Sequence, residues 1–161
     1  MTTTLIWSDA LALQHPQLDQ THEEFVALLG ELQVLLADGD ADPLPLYARL
    51  LAHTEAHFGM EEGWMAATGF APDNCHSRQH AMVLDVMRQV QVHCHREADL
   101  APLRNLATEL VNWFPAHAEM MDAALVYHLQ QVGYDTASGR LAQPLAADAP
   151  AISSCGNKSC A

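Results

Sequence analysis

Positive charge is scarce in this sequence: seven Lys and Arg stand against twenty Asp and Glu, a formal net charge of -13 over 161 residues. So acidic a chain repels phosphate backbones and anionic lipid heads, and its few basic residues are scattered, which makes nucleic acid and membrane surfaces poor partners. No apolar run approaches the ~20 residues that span a bilayer. Residues 1–13 lack the basic start and long apolar stretch of a signal peptide, so a cytoplasmic location is expected. The four cysteines, at 75, 94, 155 and 160, lack the dense, regular spacing of a secreted disulfide framework, and reduced thiols are expected. β-branched runs are almost missing, and Pro and Gly gather between periodic segments rather than inside them, which excludes a sheet-based fold and points to all-α.

Half of the residues are hydrophobic, enough for one core of this size. The pattern predicts four helices over residues 1–132 whose short links favour antiparallel neighbours, with an N-terminal arm over residues 1–18, and a flexible tail over 133–161. Helix one is predicted from Asp19 to Ala37, with His22, Phe25, Val26, Leu29, Leu32 and Leu36 on one stripe, ended by the Asp-Gly-Asp turn at 38–40. Helix two runs from Pro45 to Ala67, its inward stripe reading Tyr47, Leu50, Thr54, His57, Phe58, Glu61 and Met65. Helix three spans Asp73 to Glu97 with His76, His80, Val83, Met87 and Val90 in register, and Asp73 as its cap. Helix four runs from Pro102 to Val132 through Leu106, Leu110, Trp113, His117, Met121 and Leu125.

Histidine is the residue in excess, ten in all. Positions four apart on a helix lie one above the other, so two donors at that spacing can grip one small ion. His76 with His80 and His57 with Glu61 meet this condition, and His22 and His117 lie on the inward stripes of the remaining helices. His53 and His57 share the same spacing, so the spacing alone means little. What gives it weight is polar residues on all four inward stripes, where unpaired burial would cost about a few kcal/mol each and a shared ion would relieve all of them. Five imidazoles with carboxylate exceed one tetrahedral zinc and suit two ions of iron.

His22 in Asp-Gln-Thr-His, the block His57-Phe58-Gly59-Met60-Glu61-Glu62, His76-x-x-x-His80 and His117-x-x-x-x-Asp122 together resemble, in order, the signature of the haemerythrin family. Ile6-Trp7, Met65 and Trp113 resemble its bacterial single-domain members. The resemblance implies an antiparallel up-down-up-down four-helix bundle and two non-haem iron ions with a bridging oxo or hydroxo group. His76, His80 and His117 would hold one, His22 and His57 the other, and Glu61 and Asp122 would bridge them. Five His, four bridging oxygens and a shared hydroxide fill about eleven of roughly twelve octahedral positions, which leaves about one open for dioxygen.

Two features depart from a regular helix. Pro115, two residues before His117, removes a backbone hydrogen bond, and Asp122, five residues after it, falls about 140° around a straight helix. A wide turn is needed to close that gap. Phe58, Trp113 and Met121 are expected to be ordinary core packing, with shielding of the site as the alternative, and His15, His53, His93, His95 and His128 to be surface or supporting groups. Cys155 and Cys160 could form a disulfide or grip a metal.

Reversible oxygen carriage or storage is the function this implies, with dioxygen as ligand and an oxygen-consuming enzyme or a signalling protein as partner, in a monomer. A sensor is the alternative within the same site. The other alternative is a di-iron peroxidase or oxidase. Ferritin-like oxidases use Glu-x-x-His pairs, and this sequence contains none.

Overall fold

The computed structural model describes residues 4–154. Four long helices dominate it: α1 (Pro16–Asp38), α2 (Leu44–Ala67), α3 (Cys75–Glu97) and α4 (Ala101–His117), the last continued by a π-helical turn (Ala118–Asp122) and α5 (Ala123–Val132). Links 39–43, 68–74 and 98–100 join the long helices, and α1 packs on α2, α2 on α3, α3 on α4 and α4 on α1. The chain is thus an all-α four-helix bundle.

Local chemistry sets each boundary. The α1 start lies at Pro16, three residues earlier than the apolar stripe suggests, because the Leu18 amide donates to Nδ1 of the capping His15 at 3.2 Å. Asp19 secures that cap by accepting from the amides of Leu13 (2.7 Å) and His15 (3.1 Å). Gly39, at φ 77°, adopts the left-handed conformation that lets its amide return to Leu35 and close the helix. The α3 cap is Asn74 and not Asp73: Asn74 accepts from the Ser77 amide while the Ser77 hydroxyl accepts from the Asn74 amide. Asp73 instead pairs with Arg78 on the surface, 2.6 Å away.

The core lies in two parts on either side of the polar stripe. Leu29, Leu32, Tyr47, Leu50, Met87 and Leu103 are fully buried in the larger. The Tyr47 hydroxyl donates to the Met87 carbonyl at 2.7 Å and fastens α2 to α3. The smaller part gathers Leu18, Met65, Phe70 and Leu125. Leu5 and Trp7 pack on the larger part and Leu13 on the smaller, so the N-terminal arm lies against the bundle as expected.

After α5, the chain turns through a two-residue pairing of Tyr134–Asp135 with Arg140–Leu141. It then reaches back to the α2–α3 link: Ile152 accepts from the Ala71 amide (2.8 Å) and donates to the Gly69 carbonyl (2.9 Å), and the Cys75 amide donates to the Ser153 carbonyl (3.0 Å). The segment read as a flexible tail is therefore pinned through residue 153 by backbone hydrogen bonds that its Ala- and Pro-rich composition did not announce. Cys94 is buried and free, whereas Cys75 is disulfide-bonded, which corrects the expectation of reduced thiols at that position. Cys155 and Cys160, and the pairing or metal site read for them, lie outside the described residues.

Candidate metal centre

Helical periodicity carries each polar side chain of the site to the bundle axis. His22 on α1, His57 and Glu61 on α2, and His76 and His80 on α3 sit on inward stripes, and all are at most 3 % exposed. On the fourth helix of the bundle, α4, Pro115 cannot donate a hydrogen bond and the Ala118 amide is shared between the Phe114 and Pro115 carbonyls. The helix then widens into the π turn, where the Ala123 amide bonds the Ala118 carbonyl five residues back. That turn removes the angular mismatch and brings Asp122 beneath His117, Nε2 to Oδ1 at 3.1 Å.

The seven side chains meet at their tips. Asp122 Oδ1 also lies 3.0 Å from His76 Nε2, and Asp122 Oδ2 lies 3.2 Å from His22 Nε2. Glu61 Oε1 is 3.2 Å from His57 Nε2, and Glu61 Oε2 is 3.2 Å from His80 and 3.4 Å from His76. The donors divide into two overlapping sets, each with atoms within 4.8 Å of one another: Glu61, His76, His80, His117 and Asp122, and His22, His57, Glu61 and Asp122. Only the two carboxylates belong to both.

Several of these atoms are too close to ignore one another yet are not aligned to hydrogen-bond. His22 Nε2, Glu61 Oε2 and both Asp122 oxygens are buried without a hydrogen-bond partner among the described residues. Lone pairs that converge on a common point rather than on each other suit a cation between them, and carboxylate with imidazole is a donor set that iron accepts. The residues therefore fit the ions that the sequence resemblance implies.

Ionisation agrees with that fit. Burial and the adjacent Asp122 push the Glu61 carboxyl up, but His57 and His76 outweigh them and hold it well below the usual carboxylate range. Burial likewise raises Asp122, and His117, His22 and His76 overcome it. Burial lowers His117 and favours its neutral form, against the pull of Asp122. Anionic carboxylate and neutral imidazole are the forms that bind metal.

Aromatic rings wall the site. Phe58 stacks flat on His80 (centroids 3.8 Å apart, planes at 4°), and Trp113 stacks on His117 (4.3 Å, 24°). Met121 is fully buried. Phe114, absent from the apolar stripe read in the sequence, meets His22 edge-on at 5.0 Å and stacks on Phe25 at 4.9 Å; its place three residues before His117 was the available signal. Sequence reasoning also passed over two hydrogen bonds on the outer ring nitrogens: His80 Nδ1 to Glu62 Oε1 at 3.3 Å and His117 Nδ1 to Gln79 Oε1 at 3.0 Å. Their signal was adjacency, since Glu62 follows Glu61 and Gln79 precedes His80. The remaining histidines belong to neither donor set: His15 caps α1, His53 pairs with Glu24 and meets His57 edge-on at 6.4 Å, His93 pairs with Asp99, His95 is exposed, and His128 reaches the Thr68 carbonyl.

Comparison with known proteins bears on the same residues. The model of the Hemerythrin HHE cation binding domain matches residues 15–129. A curated protein named Bacteriohemerythrin, from Ralstonia nicotianae (strain ATCC BAA-1114 / GMI1000), is 38 % identical over 130 residues, covering 80 % of this chain and 91 % of that protein. No solved structure gives a significant match. No helix is long and apolar enough to cross a membrane among the described residues. Bundle, buried His and carboxylate cluster, and matched span agree: the chain belongs to the haemerythrin family of iron- and oxygen-binding proteins.

Proposed function

We propose that this protein binds dioxygen reversibly, as a carrier or store, at a non-haem di-iron centre held by His22, His57, Glu61, His76, His80, His117 and Asp122. The observation that carries the reading is the unequal division of the donors into a three-His and a two-His set that share both carboxylates. His76, His80 and His117 would hold one ion and His22 and His57 the other, with Glu61 and Asp122 across both. When bound, a pair of ferrous ions supplies two electrons and, on the two-His side, an open position for a small ligand.

The chain's own residues favour release over turnover. Five neutral imidazoles and two carboxylates give a centre less anionic than the carboxylate-rich sites of oxidases, which supports the reduced state. Phe58, Trp113, Phe114 and Met121 wall the cluster, and among the described residues neither cluster carboxylate pairs with an Arg. Such a dry, apolar wall limits proton delivery and with it the side reactions of bound oxygen.

The test is to load the protein with iron under nitrogen, reduce it, admit air and then sweep the oxygen out while the charge-transfer bands are recorded. Bands that appear and vanish over repeated cycles, with two irons per chain, are expected. Immediate conversion to an oxidised form that no longer responds, or rapid multiple-turnover oxidation of an added substrate, would defeat the reading.

A further inference from the structure

The two donor sets differ in a feature that lies outside the ring of ligands. In the three-His set, two imidazoles are gripped from behind: Gln79 Oε1 accepts from His117 Nδ1 at 3.0 Å, and Glu62 lies 3.3 Å from His80 Nδ1. The same two rings are each clamped by a parallel aromatic face, Trp113 on His117 and Phe58 on His80. In the two-His set, the outer nitrogens of His22 and His57 are buried with no hydrogen-bond partner among the described residues. The rings beside them meet them edge-on or tilted, Phe114 on His22 at 90°, Phe58 on His57 at 50° and the two imidazoles on each other at 63°.

A ring nitrogen that donates outward must carry the proton, which leaves the inward Nε2 with its lone pair free for a cation. In the neutral rings the Gln79 and Glu62 acceptors thus favour the metal-ready tautomer of His117 and His80, in competition with Asp122 Oδ1 and Glu61 Oε2 at 3.1 and 3.2 Å from the inner nitrogens, and hold both rings from outside. The arrangement is also crosswise. Glu62 on α2 holds a ring of α3, and Gln79 on α3 holds a ring of α4, so each hydrogen bond fixes a ligand relative to a neighbouring helix. The rings of His22 and His57 have neither constraint: His57 is held from the inner side alone, Nε2 to Glu61 Oε1 at 3.2 Å, and nothing on the outer nitrogen of either ring selects its tautomer among the described residues.

We infer that Glu62 and Gln79 are positioning residues that make the two halves of the centre unequal, so that the His76, His80 and His117 half takes up a divalent cation first and tightly and the His22 and His57 half fills second and weakly. The inference rests on the di-iron reading of the site and adds an order of assembly to it. The half that fills last is the one with the open position, so the lability falls where a ligand exchanges.

The experiment uses Co2+ as probe, titrated under nitrogen into the metal-free full-length protein and followed by its visible bands against a competing chelator. Wild type should take up two Co2+ in two resolved steps, and His22→Leu should lose the second step alone. Gln79→Met and Glu62→Met keep length and helix preference while they remove the acceptor. Each should weaken the first step about 10- to 100-fold and the second far less. Gln79→Glu and Glu62→Gln, which restore an acceptor oxygen, should recover most of the loss. As a readout without metal, 15N spectra of the imidazoles should show the Nδ1–H tautomer at His80 and His117 in wild type and a tautomer mixture in the Met variants. Fewer than two Co2+ bound by wild type would overturn the di-iron reading itself. Two Co2+ bound in one unresolved step, first-step affinity within twofold of wild type in both Met variants, or a loss shared equally by both steps, would overturn the positioning role and leave the di-iron reading standing.

Discussion

Removing the metal should weaken this bundle severely, and the extent follows from the buried atoms. Glu61 Oε2, Asp122 Oδ1 and Oδ2, and His22 Nε2 are enclosed without hydrogen-bond partners among the described residues. At about 1–3 kcal/mol for each buried unsatisfied group, these four cost about 4–12 kcal/mol in the metal-free chain. A domain of this size is stable by only about 5–15 kcal/mol in total. Even the lower figure of about 4 kcal/mol lowers the melting temperature by about 8–16 °C, taking 2–4 °C per kcal/mol for a chain of this length. The assay is a thermal melt by circular dichroism of chelator-treated protein, with the same sample reloaded with iron as control. Near-ultraviolet signals from Trp113 should weaken in the treated sample and return on reloading. A metal-free protein that melts within about 3 °C of the loaded one, with near-ultraviolet signal unchanged, would show that water already satisfies these atoms and that the burial cost has been misassigned.

Three further outcomes follow from separate parts of the molecule. Deleting the exposed Glu119 shortens the step from His117 to the Asp122 carboxylate from five residues to four, within about 40° of one helical face, so two metal ions per chain should still bind by elemental analysis; inserting one Ala after Glu119 makes the step six residues, one more than the single π turn absorbs, and should drop uptake below two. His15 caps α1 through the lone pair of Nδ1, and burial lowers its pKa against the pull of Asp19. The unfolded chain therefore takes up the proton first, and the stabilisation, present above the ordinary value of 6.5, is lost as pH falls through the folded value. Denaturant melts should show His15→Ala costing about 1 kcal/mol at pH 8 and markedly less at pH 5, and an equal cost at both would refute the cap. Finally, a non-reducing tryptic digest should yield peptide 50–78, which carries Cys75, in cross-linked form and peptide 89–96, which carries Cys94, as a free thiol. Free thiol at Cys75 in protein purified without reductant would contradict the disulfide.

Periodicity made the fold class and helix order legible, because burial imposes a 3.6-residue repeat that apolar residues record directly. The inward direction of His22, His57, Glu61, His76, His80 and His117 was legible for the same reason, since all six share faces with buried Leu, Phe and Met. Three things required the folded chain. The start of α3 turned on a reciprocal hydrogen bond between Asn74 and Ser77 that competed with an equally good cap one residue earlier. The placement of Asp122 depended on a π turn, and its spacing from His117 in sequence pointed away from the site until the local winding was known. Glu62 and Gln79 look like solvent-facing helix residues in the sequence, and only the packing of α2 on α3 and of α3 on α4 sets their oxygens against the rings of His80 and His117. Sequence alone thus determined which faces are buried and which side chains lie on them, because that is a property of one helix. Which atoms meet across helices, and how firmly each ring is held, was decided by tertiary structure, because it depends on crossing geometry and on hydrogen bonds between residues 18 to 38 positions apart.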